Sequence, residues 1–164
     1  MSSPAAFNLE NSTAYCLSKK PQKILNFWND TIPNIKLICF SDPGLKDIPR
    51  YMAIAEIFSK LSKEATAVAI EGYAFGAKGR VFQIGENTGI LISKILNYQS
   101  KIERPSPAQI KKFATDKGNA DKAQMLEAFC NAIGCKLLPL TSPYTDIADA
   151  YWTAKWLKSQ TESL

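Results

Sequence analysis

The sequence predicts an α/β domain, a mixed sheet flanked by helices, and three observations carry that expectation. Short apolar runs separated by turn residues fill the first forty positions. An unbroken run of small and β-branched residues spans 65–70 and ends on Glu71. Beyond it, apolar residues recur at three- and four-residue spacing, the period of helices that pack one face on a core. A chain of 164 residues suits one domain with one core.

Taken in order, residues 5–9, 13–17, 23–28 and 35–40 are strand candidates, with the grammar of an antiparallel meander. Asp42, Pro43 and Gly44 break the pattern. Tyr51, Ile54, Ile57, Phe58 and Leu61 then share a helical face, which places a helix over 48–61. The run 65–70 has no polar alternation, so it reads as a strand buried on both faces, with Glu71 at the sheet edge. Residues 72–79, rich in Gly and Ala, form a loop. Ile90, Leu91, Ile95 and Leu96 place a helix at 87–97, and 101–103 is a short strand. Ser106 is a helix N-cap with Pro107 at the first helical position. Residues 115–118 form a loop, a helix over 120–132 ends at Gly134, and a last helix covers 146–158.

Composition narrows the chemistry. With 46% apolar and 21% charged residues the chain reads as globular rather than disordered. No apolar run approaches the ~20 residues that span a bilayer, and the N-terminus lacks the basic and apolar regions of a signal peptide. The expectation is a soluble, intracellular protein. The four cysteines, Cys16, Cys39, Cys130 and Cys135, form no CxxC pair and are expected reduced and mostly buried. With no histidine in the chain, a Cys/His zinc site and His-based acid/base or nucleophilic catalysis are excluded. Chemistry must rest on carboxylates, lysines, hydroxyls, thiols or a metal held by oxygen. The formal charge of +5 suits a polyanionic partner.

Three acids stand out by position. Glu71 closes the buried strand and opens the glycine-rich loop. Asp146 and Asp149 stand three residues apart at the start of the last helix, which puts both carboxylates on one face with Cβ atoms ~5–6 Å apart. Two acids so close repel unless a cation lies between them or one takes a proton. Hard oxygen donors of this kind suit Mg²⁺ or Mn²⁺. Each also has a structural reading: Asp146 favours the positive end of a helix, and Thr145 or Asp146 could be its N-cap.

Four segments, in order, carry a family resemblance. Residues 69–76 (AIEGYAFG) and the following 77–89 (AKGRVFQIGENTG) resemble the second catalytic segment of RuvC-type Holliday junction resolvases, the latter in their bacteriophage form. Residues 109–113 (QIKKF) and 118–124 (GNADKAQ) are similar to the family's lysine segments, and 145–150 (TDIADA) resembles its closing Asp-x-x-Asp-Ala motif. The resemblance covers residues 65–158 and implies a ribonuclease-H-like fold. It implies that Glu71, Asp146 and Asp149 are metal ligands. Lys122 or Lys111 would approach the scissile phosphate, with Lys112, Lys78 and Arg80 as further DNA contacts. Tyr73 and Phe75 fall where the family presents an aromatic wedge to the junction centre, although a core role suits them equally. The implied activity is Mg²⁺-dependent nicking of four-way DNA junctions in a bacterial or phage-infected cell. Four acids would hold two ions ~3.5–4 Å apart, leaving 5′-phosphate and 3′-hydroxyl ends. Two symmetric nicks imply a twofold dimer, for which residues 87–97 are a candidate interface.

The family also carries an aspartate in its first strand, and no acid here stands at that place: Met1 to Ala5 resemble the residues just after it, and the first acid is Glu10. The first strand is therefore expected to be missing or truncated in the chain as written. Either the natural protein extends upstream of Met1, the favoured expectation, or the chain departs from the fold there. Two alternatives follow: a less selective branched-DNA nuclease, and a catalytically inactive junction-binding protein.

Overall fold

The computed structural model describes residues 5–7, 14–18, 35–39, 46–63, 65, 67–73, 81–98, 101–141 and 144–161. Three early strands, β1 (Ala5–Phe7), β2 (Ala14–Ser18) and β3 (Ile35–Cys39), precede helix α1 (Asp47–Ser62) and strand β4 (Ala67–Ala69). Helix α2 (Val81–Ile95), strand β5 (Ile102–Glu103) and helices α3 (Pro107–Thr115), α4 (Lys122–Ile133) and α5 (Tyr144–Thr161) follow. The α/β class expected from the sequence is the one observed.

The sheets are not a meander. β4 is central in a three-stranded sheet of order β1-β4-β5, antiparallel to β1 and parallel to β5. β2 and β3 pair in parallel, with Ala14 opposite Ile35 and Ser18 opposite Cys39. Parallel neighbours need a crossover of a dozen or more residues, and residues 19–34 supply that length. The strand expected at 23–28 lies outside the described residues.

β4 explains its own sequence. Ala67 and Ala69 face one core with Leu126, Phe129, Ile147 and Leu157 of α4 and α5. Val68 and Ile70 face the other, with Ile54 and Phe58 of α1 and Leu91 and Ile95 of α2. Both faces are covered, so period-2 alternation of polarity disappears. The alanines let α4 and α5 approach on one side, while the bulkier Val68 and Ile70 fill the other. A smaller core joins Ile110 of α3 to Ala120 and Met125, closed by Trp152 and Trp156.

Helix boundaries follow local chemistry where it is strong. Ser106 and Asp121 each form a capping box, with Gln109 and Gln124 reaching back to the cap backbone. Gly134 ends α4 at φ +69°, the left-handed conformation that favours glycine. Two expectations are corrected. α2 already covers Val81 rather than starting at 87: once Thr88, Leu91 and Ile95 anchor the helix, each residue added at its N-terminal side gains a backbone bond without a new nucleation cost, which carries it back through Gly85. α5 begins at Tyr144, so Thr145 and Asp146 lie within its first turn and neither is the N-cap.

Candidate functional site

Glu71 lies two residues beyond β4, and its place is fixed by a hydrogen-bond ladder that outlasts the strand. The Val68 and Ile70 amides donate to the Lys101 and Glu103 carbonyls, and the Gly72 amide donates to Pro105 O at 2.7 Å. A side chain at Gly72 would crowd that bond: a Cβ would stand 3.2 Å from Pro105 O and 3.4 Å from Arg104 O. The ladder thus holds the chain on either side of Glu71 against the segment that follows β5.

Glu71 opens into a cavity of about 320 Å³. Asp146 and Asp149 from α5, Lys111 from α3, Lys122 from α4 and Tyr73 line the same space. Residues nearly eighty positions apart in sequence are brought together because α5 packs across β4 and α4. The i, i+3 spacing of the aspartates presents both to the cavity. Thr153, one turn on, donates its hydroxyl to the Asp149 carbonyl at 2.8 Å.

Electrostatics tie the groups together. Burial pushes the Glu71 carboxyl up to about 7, helped by repulsion from Asp149 and opposed by Lys111 and Lys122. Burial likewise raises Asp149 to about 6, with Lys122 pulling it down and Asp146 pushing it up. Two neighbouring acids in one partly desolvated cavity therefore retain protons far above the usual carboxylate range.

Four helices contribute first-turn residues to the cavity: Val81 of α2, Pro107 of α3, Lys122 of α4 and Asp146 of α5. Helix N-termini carry partial positive charge, which adds to the two lysines in favouring an anion. Ile84, Ile110 and Met125 complete an apolar wall.

The acids offer hard oxygen donors, the type that Mg²⁺ and Mn²⁺ take. Among the described residues, however, no three His, Cys, Asp or Glu side chains gather closely enough to hold an ion. Glu71, Asp146 and Asp149 share a cavity without forming by themselves the metal centre that the sequence resemblance implies.

Of the other expected site residues, Lys112 is exposed and does not line the cavity: α3 turns Lys111 inward and its neighbour outward. Lys78, Arg80 and Phe75 lie outside the described residues. Tyr73 is at the mouth rather than in the core, 48% exposed, with the Arg104 guanidinium over its ring at 5.0 Å. Arg104 and the apolar wall went unread in the sequence. No motif marks Arg104, and only the β4–β5 register brings it to Tyr73.

No helix among the described residues is long and apolar enough to cross a membrane. No family model matches the chain, and no curated protein matches it. Solved structures do. Thermus thermophilus RuvC superposes with a TM-score of 0.58 at 20% identity, over 74% of this chain and 75% of that one. T. thermophilus RuvC in complex with a Holliday junction substrate matches equally, over 74% and 76%. The α/β arrangement around β4 and the helices that enclose the carboxylate cavity therefore constitute a RuvC-like fold.

Proposed function

We propose that this protein recognises branched DNA, four-way junctions foremost, by placing a phosphate of the branch in the cavity between Lys111, Lys122 and the helix N-termini. The observation that carries this reading is the convergence of two lysines and four helix starts on one cavity beside three acids. The chain's +5 charge supplies long-range attraction to a polyanion. The fold supports the choice of branched rather than linear DNA, since the RuvC of similar structure is seen with a Holliday junction substrate.

Binding is the reading with most support, because the described acids do not complete a metal centre. A second reading, phosphodiester hydrolysis, is favoured by the Glu71 carboxyl being held at about 7, where it exchanges protons at neutral pH. In that reading Lys122 offsets charge on the phosphoryl oxygens. Dependence on Mg²⁺ or Mn²⁺ and a twofold dimer making symmetric nicks belong to it as well, and it requires a further acid beside the described three.

A labelled synthetic four-way junction, titrated with protein in EDTA and in Mg²⁺, separates them. Complexes in both conditions without nicks support recognition alone. Mg²⁺-dependent nicks that vanish in Glu71→Gln support the nuclease. Absence of a complex in either condition removes both.

A further inference from the structure

The two thiols at the end of α4 are placed for a reaction that the DNA cleft does not use. α4 finishes in a Schellman motif: the Gly134 amide donates to Asn131 O at 3.3 Å, and the Cys135 amide donates to Cys130 O at 3.0 Å. In that motif the residues joined by the bond that spans six residues, here Cys130 and Cys135, bring their side chains together, normally as an apolar contact. Here both are cysteines, both are free, and Cys135 packs against the core cluster that contains Cys130. Cys130 is buried at 2% exposure, whereas Cys135 is partly exposed and its sulfur faces the Lys136 carbonyl at 3.3 Å.

We propose that Cys130 and Cys135 form a peroxide-reactive dithiol that closes reversibly to a disulfide. The partly exposed Cys135 sulfur, as thiolate, attacks one peroxide oxygen. The O–O bond breaks, Cys135 becomes a sulfenic acid, and the departing oxygen leaves as water, or as an alcohol from an alkyl peroxide. The Cys130 sulfur then attacks the Cys135 sulfur, the S–S bond forms, the S–O bond breaks, and a second water leaves with the Cys130 proton. Two thiols lose two electrons and two hydrogens, and the peroxide takes them. The backbone already holds the two residues in the Schellman arrangement, so closure fixes the start of the α4–α5 connection without unwinding α4. Burial, aided by the hydrogen bond with Cys130, pushes the Cys135 thiol up to about 11, so its thiolate is scarce at neutral pH. The reaction is accordingly slow at pH 7 and speeds up about tenfold per pH unit, in proportion to thiolate.

Trypsin leaves both cysteines in one peptide, Ala123 to Lys136, which contains neither Cys16 nor Cys39. The full chain is treated with hydrogen peroxide, quenched, unfolded, alkylated and digested. The expected result is that this peptide lightens by two hydrogens and takes no alkyl group, and that dithiothreitol restores alkylation at both cysteines. The conservative Cys135→Ser variant should instead leave Cys130 fully alkylated after the same treatment. If both cysteines of the wild-type peptide remain alkylated, or Cys135 accumulates as sulfinic acid with Cys130 still alkylated, the dithiol assignment is wrong.

Discussion

Glu71 and Asp149, contributed by the end of β4 and by α5, face one cavity, where the Asp149 charge adds to burial in raising the Glu71 carboxyl against the pull of Lys111 and Lys122. The sign of the resulting pH dependence is fixed. Glu71 moves from an ordinary 4.5 to about 7 on folding, so between those values the native state binds the extra proton and stability falls as pH rises. The Glu71 contribution is fully present below about pH 4.5 and lost as pH passes through about 7. Glu71→Gln, which keeps the neutral shape, should therefore stabilise the metal-free protein at pH 8 by roughly 1–2 kcal/mol and do little at pH 5. Urea unfolding of both proteins at the two pH values measures it; equal effects at pH 5 and 8 would contradict the assigned burial of the carboxyl.

Lys122 is the leading influence that lowers the Asp149 carboxyl. Lys122→Ala should raise the Asp149 titration above its present value of about 6, read by carboxyl NMR. The same variant should flatten the plot of log affinity for junction DNA against log salt by about one unit, the signature of one lost phosphate contact. An unchanged salt slope would place Lys122 outside the DNA contact.

Arg104 stacks on a half-exposed Tyr73 at the cavity mouth. An exposed cation–π contact is worth ~0.5–1 kcal/mol, so Arg104→Ala should cost little stability while weakening junction binding. If the two residues act as one platform, the double variant Arg104→Ala with Tyr73→Leu should lose less affinity than the sum of the single losses. Strict additivity would mean that the stack has no joint role in binding.

Gly72 cannot accept a side chain without moving Pro105 or Arg104. Gly72→Ala should destabilise the protein by roughly 1–3 kcal/mol, the usual cost of overpacking, as measured by urea unfolding. It should also loosen junction binding more than Gly89→Ala, since a Cβ at Gly89 meets nothing within 4 Å.

How far the sequence disclosed this arrangement depends on which interactions are local. The double burial of β4 was legible at 65–70 because a strand covered on both faces loses polar alternation over its whole length. Ser106 and Pro107 announced α3, and Gly134 the end of α4, because caps are short-range chemistry. The parallel pairing of β2 with β3 was not legible: direction is set by the connection, and strand composition is the same either way. The start of α2 was hidden by Gly85, whose low propensity is outweighed by core contacts further along the helix. In the cavity, Glu71, Asp146 and Asp149 were visible as acids at a strand end and at helical spacing. Arg104 was not, because its meeting with Tyr73 exists only through the β4–β5 register.

The central claim is that the lysine-bearing cavity binds branched DNA. The most direct test is competition, in EDTA at fixed salt, between a four-way junction and a linear duplex of the same length and base composition, for the wild type and for Lys111→Ala/Lys122→Ala. The account predicts that the wild type prefers the junction by at least tenfold and that the double variant loses most of that preference while remaining folded. Equal affinity of the wild type for junction and duplex, or a preference untouched by removing both lysines, would contradict it.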